Sequence, residues 1–331
     1  MEKKLLIIDA DSIIYYIAYN FRNKKVKKMV ELSVNKFISD LLTTSGAQDY
    51  IGFYGSKEDD AKPNFRYDIY PEYKSNRPDT PEFVKKWRPL IHSVFKDKWK
   101  FLPIDGMEAD DAVGITYTYY KDAYDEIIIA TADKDLKQFA CTFYDFNKHE
   151  ITKIDSFAAA HSRYYQMIMG DAGDHIPGIP GIGKVGAKKL LAECKTERQL
   201  QIATARAYYT YWNKQKRNIV NRVIADYTEG LDEEATDTLA KLSEAKRNRA
   251  IRIATKQQIA DKLEEISLTS WKTYFILQCR LVSMLTEAPS FFPKPDPIAS
   301  PFGDLEITTT KPLTSAERKA ALSSADDFLI I

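Results

Sequence analysis

This 331-residue chain predicts an α/β fold: a parallel sheet with helices on both faces, followed by a helical second half. Three observations carry that expectation. Short apolar runs at 4–8, 50–54 and 126–131, with a weaker one at 100–104, alternate with amphipathic helical stretches, as strand–crossover–strand units do. From about residue 157 onward the apolar period is almost wholly helical. Acids also close the apolar runs, and acids at the ends of parallel strands meet at one sheet edge, where open α/β folds bind ligands.

Taken in order, the elements suggest three segments. Residues 1–156 read as the α/β unit, 157–285 as a helical unit, and 286–331 as a linker and tail. The linker reading rests on six prolines and many Ser/Thr between 286 and 315, with no helical period. A composition of 44% hydrophobic and 29% charged residues is that of a soluble globular protein. The first apolar stretch, Leu5 to Tyr19, is broken by Asp9 and Asp11 and lacks a small-residue cleavage pattern. It reads as neither a signal peptide nor a membrane span, and the chain is expected in the cytoplasm, without a membrane partner. Three scattered cysteines fit reduced thiols, and four histidines show no ligand spacing.

The acids fall in four clusters: LLIIDAD (Asp9, Asp11), GMEADDAVG (Glu108, Asp110, Asp111), IIIATADKD (Asp133, Asp135) and MIMGDAGD (Asp171, Asp174). That many carboxylates cannot stay ionised side by side without cations to compensate them. Oxygen-only donors select hard ions, so two or more Mg²⁺ or Mn²⁺ are expected. Capping of helix N-termini is the alternative for single acids, because EADD and GDAGD both precede helical patterns. Asp11 reads as a cap or as a residue behind the ligands.

Charge is segregated although the net value is only +1. Residues 184–222 carry ten Lys/Arg against two acids, and 241–262 carry seven against two. Such runs are the footprint of a phosphate-backbone partner, or, taken singly, a solvated helix face. Between 170 and 191 the sequence GDAGDHIPGIPGIGKVGAKKLL builds two tight turns before a basic helix. Gly178, Gly181, Gly183 and Gly186 are expected to let backbone amides approach a phosphate, with Lys184, Lys188 and Lys189 adding charge. No Walker pattern is present, so a helix-hairpin-helix at 170–195 is the better reading than a nucleotide loop.

With these residues in hand the chain resembles the 5′ nuclease family, which includes the 5′-nuclease domain of bacterial DNA polymerase I, flap endonucleases and stand-alone bacteriophage 5′→3′ exonucleases. The motifs IDADS, YPEYKSNRP, EADD, TADKD and MGDAGDHIPGIPGIGKVGAKKLL stand in family order over residues 5 to about 191. The resemblance implies a PIN-like parallel-sheet nuclease core with a helical arch at 63–100, then a helix-hairpin-helix subdomain. It also implies metal-dependent hydrolysis at 5′ ends of DNA or RNA/DNA duplexes, by exonuclease, flap endonuclease and RNase H activity, in phage-type replication within an infected bacterial host.

The resemblance assigns residues too. Asp9, Glu108, Asp110, Asp111, Asp133 and Asp135 resemble the ligands of a first metal and their surroundings, and Asp171 and Asp174 those of a second. Tyr73 would stack on a terminal base, while Lys74 and Arg77 would neutralise the scissile phosphate. Lys85, Lys86 and Arg88 would line the arch, His175 would reach DNA from its turn, and K⁺ would bind at the hairpin. Two departures stand out: the second strand ends in Tyr54 and Gly55 where the family often has Asp, leaving Asp59 or Asp60 as substitutes, and Gln166 stands where relatives often have Lys. The tail residues Asp327, Phe328 and Leu329 resemble a short clamp-binding peptide, so a sliding clamp or a single-strand-binding protein is an expected partner of a monomeric enzyme. The rival readings are a non-catalytic duplex-binding module and a PIN-type RNase, the latter disfavoured by the hairpin. The aromatic patch Tyr208, Tyr209, Tyr211 and Trp212 reads as core packing before base stacking.

Overall fold

The computed structural model describes residues 3–23, 26–56, 63–265 and 271–286. Asp59, Asp60 and the tail residues Asp327, Phe328 and Leu329 lie outside the described residues. The chain starts with β1 (Lys4–Asp9), α1 (Ala10–Asn20), α2 (Lys27–Ser45) and β2 (Asp49–Gly55). It continues through α3 (Arg66–Ile69), α4 (Glu82–Asp97), β3 (Leu102–Ile104), α5 (Ala109–Tyr120) and β4 (Glu126–Thr131). A 3-10 turn (Lys134–Gln138) leads into β5 (Thr142–Asp145) and β6 (Glu150–Lys153). Helices follow: α6 (Ser156–Met169), α7 (Lys184–Leu191), α8 (Glu197–Glu229), α9 (Glu233–Ala240), α10 (Glu244–Ala254), α11 (Lys256–Glu265) and α12 (Trp271–Val282).

The six strands run in the order β3-β2-β1-β4-β5-β6. β1 is central, parallel to β2 on one side and β4 on the other. Its residues Leu5 to Ile8 are fully buried, as a strand covered on both faces requires. Leu6 and Ile8 pack with α1, α2 and α4, whereas Leu5 and Ile7 pack with α5. The chain moves outward from β1 to β3 and then crosses to β4, so the strand order reverses at β1. The crevice for a ligand opens at the carboxyl end of such a reversal.

The expected parallel sheet is present in β1 to β5, and one further edge strand makes the whole sheet mixed. β6 runs antiparallel to β5. Neither strand was legible: β5 has four residues, and β6 is exposed on both faces and so has no alternation. In the expected arch, α4 buries Val84, Trp87, Ile91 and Phe95 against the α1/α2 layer. Of its basic residues, Lys85 pairs with Glu82 at 2.8 Å, Lys86 lies over the Trp87 ring, and Arg88 lines the cavity described below.

A third core joins α6, α7, α8 and α12 around Met167, Ile168, Leu191, Leu200, Tyr208 and Phe275. Tyr208 and Trp212 are buried there, as expected of packing residues. The chain after α12 then returns to the α/β half. Arg66 donates to the Leu281 and Ser283 carbonyls, and Gln138 to that of Val282. Leu285 N–H in turn donates to Asp111. Gly114 makes room for this strap, since a Cβ there would stand 2.6 Å from the Leu285 carbonyl oxygen.

Candidate active site

At the carboxyl edge of the sheet a cavity of about 720 Å³ is lined by Asp9, Asp11, Glu108, Asp110, Asp133, Asp135, Asp171 and Asp174, together with Lys74 and Arg77. Each acid is placed by a strand end or a helix start. Asp9 ends β1 and caps α1, its Oδ1 accepting from Asp11 N–H at 3.2 Å. Its Oδ2 accepts from the hydroxyls of Ser12 and Thr131, both at 2.7 Å. Glu108 caps α5 in a reciprocal box with Asp111. Asp133 follows β4 and caps the 3-10 turn through Asp135 N–H. Asp171 accepts from Gly173 N–H at 2.7 Å within the turn after α6. Capping and gathering charge are thus one design here: helix N-termini hold the acids and partly offset their charge.

The crowding has an electrostatic signature. Burial, followed by repulsion from Asp11, pushes Asp9 up to about 7, although the hydrogen bonds from Thr131 and Ser12 oppose it. Burial and the neighbouring Asp133 push Asp135 up to about 6. Asp110 is raised well above the usual carboxylate range by burial and by Glu108 and Asp111. Burial also works against ionisation of Glu108, yet Lys74 and Arg66 hold it below its ordinary value.

Lys74 has a left-handed backbone (φ 56°) and directs its ammonium onto Glu108, with Asp174 at 3.6 Å. Arg77 pairs with Asp174. Lys134 lies 3.6 Å from both Asp135 and Asp171 and links two acid clusters. Gln166 takes an amide hydrogen bond from Gln138 at 2.8 Å and also bonds Asp135. His175 in its exposed turn is pinned to Ser75 Oγ at 2.7 Å and to the Glu72 carbonyl at 3.1 Å.

Three expected residues sit differently. Asp111 is fully buried away from the cavity, with both oxygens engaged by Arg66 at 2.5 and 2.9 Å. It holds Arg66 rather than facing the space between the other acids. Tyr73 is 2% exposed, so its ring offers no platform for a base. Its hydroxyl donates toward Glu108 at 2.8 Å and Asp174 at 3.1 Å. Gly178 is buried, its N–H donating to Gln278 and its carbonyl accepting from Tyr274. With Gly170 it allows two backbones to touch: both have positive φ, and a Cβ on either would lie within 2.3 Å of the other segment.

Around Gly181 and Gly183, by contrast, there is open space, and Lys184, Lys188 and Lys189 are exposed. Gly186 is packed by Ile182 at 2.9 Å from its Cβ position. Arg66 was the residue that sequence reading missed. Within PNFRYD an arginine reads as a solvated charge, and only the return of the chain after α12 buries it.

The donor set suits hard divalent cations, because the anionic groups of the cavity are all carboxylates, and burial together with repulsion from neighbouring acids pushes Asp9, Asp110 and Asp135 towards protonation. Among the described residues no three acids converge tightly enough to cage an ion as they stand. The Lys74 ammonium lies on Glu108, where it supplies part of the missing charge.

Residues 4–167 match the model of the 5'-3' exonuclease, N-terminal resolvase-like domain. DNA polymerase I of Bacillus caldotenax is 27% identical over 210 residues, which are 59% of this chain and 24% of that protein. The 5'-3' exonuclease of Buchnera aphidicola subsp. Schizaphis graminum is 27% identical over 201 residues, 55% of this chain and 67% of that one. The chain thus spans about a quarter of the polymerase relative's length. Among solved structures, T5 5'-exonuclease with bound divalent metal ions (zinc) is similar at a TM-score of 0.48 and 21% identity, over 62% of this chain and 85% of that one. No helix among the described residues is long and apolar enough to cross a membrane.

Proposed function

Since residues 4–167 belong to the 5′-3′ exonuclease family, we propose that the chain is a metal-dependent nuclease hydrolysing phosphodiester bonds at 5′ ends of DNA, as an exonuclease and a flap endonuclease. The observation that carries the reading is the convergence of nine acids, Asp105 among them, from four distant segments on one cavity that Lys74 and Arg77 also line. Asp9, Glu108, Asp110, Asp133 and Asp135 would hold one Mg²⁺ or Mn²⁺, and Asp171 and Asp174 a second. Bound there, the ions would supply a hydroxide-like water and charge compensation for in-line displacement.

The protein's own cations take the remaining role. Lys74 and Arg77 rest on Glu108 and Asp174, and a phosphate entering the cavity would draw them onto its oxygens as charge builds. The phenol of Tyr73 holds Glu108 and Asp174 in register. Arg88 on α4 adds positive charge at the rim. The open backbone at Gly181 and Gly183, followed by exposed Lys184, Lys188 and Lys189, suits the phosphates of the duplex behind the scissile bond. Primer removal in replication, RNase H activity and K⁺ at the hairpin belong to the same proposal.

The test is cleavage of 5′-labelled flap and blunt duplexes with Mg²⁺ or with EDTA. Mg²⁺-dependent release of 5′ products, abolished in Asp110→Asn and slowed in Lys74→Ala, is expected. Tight duplex binding without cleavage in any divalent metal would leave the non-catalytic binding module as the answer.

A further inference from the structure

Asp11 lines the cavity two residues after Asp9 but is not among the acids assigned to a metal above, and β2 ends in a glycine. The structure joins them. β2 neighbours β1, and its last residue, Gly55, reaches the same sheet edge as Asp9. From α1, Asp11 sends its carboxylate across to that strand end, where Oδ1 accepts from Gly55 N–H at 3.0 Å. A Cβ on residue 55 would stand 3.1 Å from Asp11 Oδ2. The carboxylate of Asp11 therefore occupies the space into which a side chain at the end of β2 would grow, and a glycine there leaves it room.

Asp11 also lines the cavity beside Asp9, Glu108 and Asp110. We propose that Asp11 supplies the metal-binding carboxylate on the β2 side of this cavity, in place of an acid carried by β2 itself. The inference rests on the metal-nuclease reading above. It assigns to α1 a donor that the strand end lacks, and it accounts for the small residue at 55, where a Cβ would crowd the Asp11 carboxylate. The Gly55 amide fixes one oxygen of the carboxylate, which orients the group before any ion arrives.

The full chain, without substrate, is titrated with Mn²⁺ and the free ion is followed by electron paramagnetic resonance. Asp11→Asn keeps an oxygen for the Gly55 amide, so it removes charge while preserving the strand tie. We expect at least about a tenfold loss of Mn²⁺ affinity at one site, with a melting temperature in EDTA no lower than the parent's, because the Asp11 charge that repels Asp9 is gone. Asp11→Ala combined with Gly55→Asp moves the acid onto β2 and is expected to recover most of the affinity that Asp11→Ala loses alone.

Parent-like Mn²⁺ binding by Asp11→Asn overturns the inference. So does a swapped variant that melts like the parent yet binds no better than Asp11→Ala. A parent protein that binds no Mn²⁺ instead overturns the metal-nuclease reading on which the inference stands.

Discussion

Arg66 and Asp111 form a two-pronged ion pair, Nη1 to Oδ2 at 2.5 Å and Nη2 to Oδ1 at 2.9 Å, with 1% and 0% of their surfaces exposed. The pair ties the start of α3, the start of α5 and the strap after α12 to one point beneath the cavity. Removing one partner strands a buried charge, which costs about 3–5 kcal/mol. Asp111→Ala is therefore expected to lower stability by roughly that amount in urea denaturation. The double variant Arg66→Met/Asp111→Leu should recover most of the loss. A fully stable Asp111→Ala protein that fails only to bind metal would return this acid to the cavity.

Tyr73→Phe separates two roles. A ring that stacked on a base would work nearly as well without its hydroxyl. A ring whose hydroxyl orders Glu108 and Asp174 would not, since hydrogen bonds to charged groups contribute about 1.5–3 kcal/mol. We expect Tyr73→Phe to lower thermal stability and weaken Mn²⁺ binding in the absence of DNA. Equal metal affinity with weakened binding of 5′ ends would favour stacking.

Asp9 makes stability pH-dependent in a stated direction. Its carboxyl is raised from 3.8 to about 7 in the fold, so ionisation penalises the folded state. Without metal, stability is expected to fall as the pH rises from about 4 to 7 and to level off above, with Asp135 adding to the fall up to about 6. The ceiling for Asp9 is about 4 kcal/mol. Melting in EDTA from pH 5 to 8.5 should show the decline, and Asp9→Asn should shrink it, leaving the part that Asp135 contributes. Mg²⁺ should stabilise the parent more at pH 8 than at pH 5.

Lys74 competes with a divalent ion for Glu108. Lys74→Met should therefore bind Mn²⁺ at least as tightly as the parent while its single-turnover cleavage falls by about 10²-fold or more. Weaker metal binding in this variant would mean that the lysine orders Glu108 more than it competes for it.

Replacing Lys184, Lys188 and Lys189 together by Ala should weaken duplex binding and lower the slope of log K against log salt by about 2–3. An unchanged slope would place the duplex elsewhere on the protein.

The periods of β1, β2 and β4, the helical second half and the four acid clusters were legible because each is a local pattern. A buried strand needs a run of Leu and Ile, as in Leu5 to Ile8, and acids after such runs must share an edge. β5 and β6 were not legible, since one is too short and the other exposed on both faces. Asp110 and Asp111 are neighbours of identical chemistry, so no local pattern could say which would face the cavity. The α-helical turn points them in different directions, and a buried guanidinium 45 residues away in sequence engages one of them. Likewise Tyr73 and Gly178 carried familiar motifs, but the packing of α12 and the turn after α6 decides that both are buried. The acids available to the site can be read from the chain, because charge and strand periodicity are carried by adjacent residues. Which groups face the cavity, which lie behind it, and that Asp11 reaches the end of β2 follow from folding alone, because burial and ion pairing depend on segments that meet only in the folded molecule.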